Sequence, residues 1–293
     1  MLGKLFKTVT VAAVLANTGY TCTIDGTEGI VPENNLKIPA SAKANANLDE
    51  PTFNAVIDKV SEIYAPIFTQ MGATLKVNRN WDDGTVNAYA SRSGSEWNIH
   101  MFGGLARHET VTPDGFALVV CHELGHHIGG APKKGGWWSN WATNEGQADY
   151  FATLKCLRRT FRGEDHKAVL SKLEVPQIVV NTCAEQWSSE EDQLICQRGA
   201  MAGKSTANLF QALRRQTTPP MFDTPDEAVV TTTDHSHPDT QCRLDTYYQG
   251  ALCQVDELSD VDQDDETVGV CNRDSGDTFG VRPLCWFAPT ASL

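Results

Sequence analysis

The chain has 293 residues, 41% of them hydrophobic and 21% charged. That is enough apolar material for a core, which excludes disorder or a coiled coil as the main state. Lys and Arg number 24 against 37 Asp and Glu, a net charge of −13; so acidic a surface repels phosphate backbones and argues against nucleic acid as a partner. No apolar run reaches the ~18 residues that a spanning helix needs, so no transmembrane segment is expected.

Residues 1–21 read as a secretory signal peptide. Lys4 and Lys7 give a basic start, a short apolar stretch follows, and Ala16, Thr18 and Gly19 supply small residues for cleavage. Export to the periplasm or the medium is therefore expected, with Cys22 as the lipid anchor if the chain is a membrane-attached lipoprotein. Residues 22–47, rich in Gly, Asn, Pro and Ala, read as an irregular leader. Phe53, Val56, Ile57, Val60, Ile63, Tyr64, Ile67 and Phe68 then recur at three- and four-residue steps. That spacing predicts an amphipathic helix ending near Met71-Gly72, with Pro66 in its last turn.

Three extended segments follow, at 73–78, 85–90 and 97–102. The second and third come after the turn-forming Asp83-Gly84 and Ser93-Gly94-Ser95. They predict a small antiparallel sheet. Thr112-Pro113 is a cap and first-turn pair for a helix running to Ile128 and stopping at Gly129-Gly130. A loop, 131–141, holds Lys133, Lys134, Trp137, Trp138 and Trp141. Further helices are predicted from about 144 to 161, from 189 to 214, and from 239 onward. A Thr/Pro-rich connection spans 217–233, and 256–293 is an acidic, cysteine-containing tail expected to pack on the domain.

Eight cysteines remain beyond Cys22. An even number in an exported chain predicts disulfides. None share a C-x-x-C spacing, so a cysteine zinc site is not indicated. The pairing stays open, with one restriction. Cys242 and Cys253 on a single helix would lie about 16 Å apart, beyond one disulfide's reach, so each seeks another partner.

Residues 122–126 read His122-Glu123-Leu124-Gly125-His126. On a helix, residues four apart share a face, so both imidazoles can meet one metal ion, with Glu123 beside them as a base for water. Downstream stands Asn144-Glu145-Gly146-Gln147-Ala148-Asp149. Glu145 can supply the third ligand that a catalytic zinc wants, and Asp149, one turn on, can hold the far nitrogen of His122. His127 points about 100° away from His126 and reads as exposed or outside the ligand set. Asp260, Asp262 and Asp264 alternate like a calcium loop, but Asp265 and Cys271 stand where that loop needs Gly and Glu.

H-E-x-x-H followed by E-x-x-A-D resembles the gluzincin zinc metallopeptidases, in particular the HtpX, CAAX-prenyl-protease and BepA-like type. Asn87-Ala88-Tyr89-Ala90 is similar to that group's cleft-side strand. His237-Pro238 with Arg243 is similar to its late H-P-x-x-x-x-R element. The resemblance spans roughly residues 53–253 and lacks the membrane helices of HtpX. It implies an α+β fold: a mostly helical, zincin-like domain over 48–255, with the small sheet beside the active-site helix. It implies one Zn2+ per chain on His122, His126 and Glu145, with Glu123 as the base. Asp149 and Arg243 would stand behind the ligands, Arg243 holding the His237 loop. His237 would stabilise the oxyanion, with Tyr247 and Tyr248 in reserve. Asn87 and Ala88 would bind the substrate, an extended protein or peptide added to strand 85–90 or 97–102. The expected activity is peptide-bond hydrolysis. The rivals are a catalytically silent, zinc-containing protein-binding module and a zinc hydrolase of cell-wall peptides.

Overall fold

A computed structural model describes residues 29–31, 34–42, 48–135 and 141–289. The signal sequence, Cys22, Trp137 and Trp138 lie outside the described residues. Helix α1 (Glu50–Gln70) starts where the Asp49 side chain accepts from the Thr52 N–H at 2.9 Å. It buries Phe53, Ile57, Val60, Tyr64 and Phe68, the three- and four-residue stripe read from the sequence. Gly72, at φ +75°, turns the chain into the sheet.

The sheet has three strands, β1 (Thr74–Asn80), β2 (Ala88–Ser93) and β3 (Glu96–Phe102), in the order β1-β3-β2. It is mixed, not antiparallel as expected. β2 pairs antiparallel with β3 across the Gly94 turn, while β1 pairs parallel with β3. The connection after β1 carries the chain past the future place of β3, so strands of the same direction become neighbours. The middle strand is therefore β3, with both edges paired, and 97–102 has no edge to offer a substrate. The expected strand 85–90 starts later for a related reason. Residues 84–86 pair instead with the N-terminal segment: the Ile38 N–H donates to Gly84 O at 2.7 Å, and Lys37 bridges Thr85.

A short α2 (Gly103–Ala106) leads to α3 (Pro113–Ile128). The Thr112 hydroxyl caps α3 by accepting from the Gly115 N–H at 3.0 Å. Every residue of α3 from Gly115 to Ile128 is buried. A helix buried all round is a central one, and α3 packs against α1, the sheet, α8 (Glu190–Leu213) and α4 (Glu145–Phe151). α4 (Glu145–Phe151) passes through a π-helical turn (Ala152–Cys156) into α5 (Leu157–Phe161), where one regular helix was expected. α9 (Thr240–Leu252) crosses closely there: a Cβ on Gly250 would sit 2.1 Å from Thr153 Oγ1.

Short helices α6 (His166–Leu170) and α7 (Gln177–Gln186) precede the long α8 (Glu190–Leu213) and α9 (Thr240–Leu252). Four disulfides pin the helices. Cys121–Cys156 joins α3 to the π turn, Cys183–Cys196 joins α7 to α8, and Cys242–Cys285 and Cys253–Cys271 tie α9 to the tail. Cys242 and Cys253 thus pair apart. The tail carries a buried Trp286 whose ring lies against Gly146 of α4; a Cβ on that glycine would come within 2.3 Å of it. No helix among the described residues is long and apolar enough to cross a membrane. The four disulfides suggest an oxidising compartment.

Candidate metal centre

The centre lies between α3 and α4. Gly125, inside the motif, allows the two helices to meet: a Cβ there would be 3.2 Å from Ala148 Cα and O. Asn144 caps α4 by accepting from the Gln147 N–H at 2.9 Å, which places Glu145 at the first position of the helix. One ligand atom each from His122, His126 and Glu145 then lies within 4.8 Å of the other two, and all three residues are buried. A His-His-Glu group so arranged could hold a metal ion. The sequence spans of 4 and 19 residues are closed by two helices, one loop and one glycine contact.

Each imidazole is oriented from behind. His126 Nδ1 lies 2.8 Å from the Thr143 carbonyl, to which it donates, leaving Nε2 to face the centre. His122 Nδ1 lies 2.7 Å from Asp149 Oδ1, again freeing Nε2. Asp149 in turn receives Nε and Nη2 of Arg243 at 2.7 and 2.8 Å, and the Tyr247 hydroxyl at 2.7 Å. Tyr247 is thus committed to Asp149, and Tyr248 points to Ile178 O, so neither reserve donor faces the centre. Arg243 holds Asp149 rather than the His237 loop. That loop is held by Arg214, whose Nη2 donates to Pro238 O at 3.2 Å.

Glu145 Oε2 lies 3.2 Å from His122 Nε2 and 3.2 Å from His237 Nε2, and Oε1 lies 2.7 Å from Lys134 Nζ. His237 and Lys134 stand on opposite sides of one carboxylate, each with 18% of its side chain exposed at the rim. The inward nitrogen of His126 and both oxygens of Glu123 are buried with no hydrogen-bond partner among the described residues, and His122 Nε2 meets only the Glu145 carboxylate, itself one of the three grouped residues. Buried polar atoms left unpaired in one cluster are rare in folded proteins and mark the place of a ligand. The donor set, two imidazoles and a carboxylate, fits a divalent metal ion.

The electrostatics follow from burial. Burial alone would lower His122, but the Asp149 and Glu145 carboxylates outweigh it and raise it to about 9. Burial pushes Glu123 up to about 8 and His126 down to about 3. Glu145 and Asp149 resist the upward push of burial. His237 and Lys134 hold Glu145 well below the carboxylate range, and Arg243 with His122 lowers Asp149.

His127 is buried, not exposed. Its Nε2 donates to Asn98 O at 3.1 Å, its Nδ1 accepts from Arg92 Nε at 3.2 Å, and its ring stacks between Trp97 and Trp141. Ala88 opens β2, and Asn87 immediately precedes it. There the Ala88 carbonyl already accepts from the Ile30 N–H at 3.0 Å, and the side chain of Asn87 lies against Gly29. The edge expected to take substrate is occupied over residues 84–88 by the chain's own N-terminal segment. Lys134, Thr143, Arg214 and Ile30 were not singled out in the sequence. Lys134, Thr143 and Ile30 reach the site through loops or irregular segments, where periodicity gives no signal, and Arg214 reaches it from the C-terminal end of α8, whose periodicity does not say what lies beyond it.

Comparisons with protein-family profiles, with curated proteins and with solved structures found no match. The gluzincin resemblance stands on the motifs themselves.

Proposed function

We propose that the chain is an exported, zinc-dependent endopeptidase. The observation that carries this reading is Glu123: a carboxylate with both oxygens buried, unpaired and next to a three-ligand group. A purely structural metal site needs four protein ligands and no base. A zinc ion on His122, His126 and Glu145 would supply Lewis-acid polarisation of the scissile carbonyl and acidify a water.

The chain's own residues do the rest. Glu123 takes the proton of the attacking water on a carboxylate oxygen and returns it to the leaving amine. Without a metal ion, burial raises its proton affinity to about 8, the direction a group that must hold a transferred proton needs. Asp149 and Thr143 O keep the two imidazoles in the tautomer that presents Nε2. His237 Nε2 and Lys134 Nζ flank Glu145 and can donate to the tetrahedral oxyanion. The buried floor excludes bulk water. The substrate class is protein.

The test is wild type against Glu123→Gln, expressed under oxidising conditions, with zinc content and cleavage of an unfolded protein measured on both. Equal zinc with cleavage by wild type alone supports the proposal. Equal zinc with cleavage by neither favours the binding module.

A further inference from the structure

Two parts of the chain 213 residues apart meet behind the metal centre. The described residues 29–31 and 34–42, part of the expected irregular leader, are irregular in their backbone but not loose. Ile30 is 0% and Val31 2% exposed, and both belong to the main apolar core together with Ala88 and Tyr247. The segment runs antiparallel to 84–88, with Ile38 N–H on Gly84 O, Val86 N–H on Leu36 O, Asn34 Nδ2 on Val86 O and Ile30 N–H on Ala88 O. Arg107 fastens its other end by donating Nε and Nη2 to Ile38 O at 3.0 and 2.9 Å.

The Ile30 carbonyl has a second task. It accepts from Arg243 Nη1 at 2.6 Å. Arg243 is fully buried, and its other two contacts of this kind go to Asp149. The bonds therefore form one line: Ile30 O to the guanidinium, the guanidinium to Asp149, Asp149 to His122 Nδ1. A guanidinium is a rigid fork, so fixing Nη1 fixes the plane of the pair that grips the carboxylate. Tyr247 holds the same carboxylate by one oxygen only and sets no plane.

We propose that the N-terminal segment is a positioning element of the metal centre: the Ile30 carbonyl aligns Arg243, and through Asp149 it aligns His122. The inference rests on the metal-centre reading above. Docking of the segment and metal binding are then coupled, and the coupling is reciprocal. The segment also lies where an extended substrate was expected, so the opposite role, an inhibitory occupant of the cleft, is a defined alternative outcome.

The test uses Ile30→Gly, which unseats the segment without touching a ligand, and Ile30→Val, which keeps it seated. Phe222→Ala, in a separate apolar cluster, is the control for lost core packing. Zinc affinity is measured by chelator competition well below the unfolding temperature. Ile30→Gly should bind zinc ~10-fold more weakly, the effect of losing an outer partner of a ligand. Ile30→Val and Phe222→Ala should stay within about twofold of wild type. Should Ile30→Gly fail to fold, the wild-type chain still decides. Amide exchange of 29–31 should slow when zinc is added, and unchanged exchange would overturn the coupling. Equal zinc affinity in Ile30→Gly overturns the proposal, and equal affinity with faster proteolysis identifies the inhibitory occupant instead. A wild-type chain that binds no zinc overturns the metal centre itself. Neither readout depends on cleavage, so a failed peptidase reading and a failed positioning role are told apart.

Discussion

The two flanks of α3 differ in what they do with a buried histidine. His126, on the flank toward α4, and His127, on the flank toward the sheet, are adjacent in sequence. Both are buried, and burial lowers both to about 3. What separates them is the count of satisfied nitrogens. His127 has partners for both, Asn98 O and Arg92 Nε, and stacks between two indoles with the Arg92 guanidinium 3.4 Å from the Trp97 ring centre. His126 has a partner for Nδ1 and none for Nε2. Burial and charge state therefore do not tell a ligand from a core residue. Unmet hydrogen-bonding capacity does.

The comparison breaks most visibly under substitution. His122→Ala, on the ligand flank, should weaken zinc binding by ~10³-fold or more, roughly one ligand's share of the binding free energy. His127→Ala should leave zinc affinity within ~3-fold and register in stability instead, through a lost core contact. Competition with a chromophoric chelator and urea unfolding read the two effects separately. A large loss of zinc in His127→Ala would erase the distinction.

The ligand flank was legible in the sequence because its logic is local. An i,i+4 pair on a helix and a capped Glu145 one loop later need only helix geometry to be read. The disulfide restriction on Cys242 and Cys253 was legible for the same reason. The sheet flank was not. The order β1-β3-β2, the late start of β2 and the seat of Ile30 depend on contacts 20 to 213 residues distant, and short apolar segments carry no record of their neighbours. Arg243 sits between these cases: the motif singled it out, but its partners, Asp149 and Ile30 O, come from the packing.

Arg243 offers the next-largest contrast. Arg243→Met leaves Asp149 buried beside His122 without its cation, and breaking such a pair should cost about 3 kcal/mol or more in urea unfolding. The matching change on the other flank, Arg92→Met, removes a half-buried cation from between Trp97 and Trp141 and should cost about 1 kcal/mol. Equal losses would mean that Asp149 is not anchored as described.

The smallest effect is in the pH dependence. In the absence of zinc, His122 holds its proton up to about 9, whereas His126 is neutral above about 3. Zinc must displace the first proton and not the second. Apparent affinity should therefore rise ~10-fold per pH unit below about 9 and then level, with about one proton released per zinc. Calorimetry in two buffers of different ionisation enthalpy measures that number. Between about pH 8 and 9, where Glu123 is already ionised, two protons released would place both histidines in the same state and remove the asymmetry that Asp149 creates.

The centre itself is tested most directly by zinc-edge X-ray absorption on the purified wild-type chain. The account predicts one zinc per chain, with two imidazole nitrogens and a carboxylate oxygen at about 2.0–2.2 Å. Sulfur at about 2.3 Å, or no retained metal in a folded, disulfide-bonded protein, would contradict it.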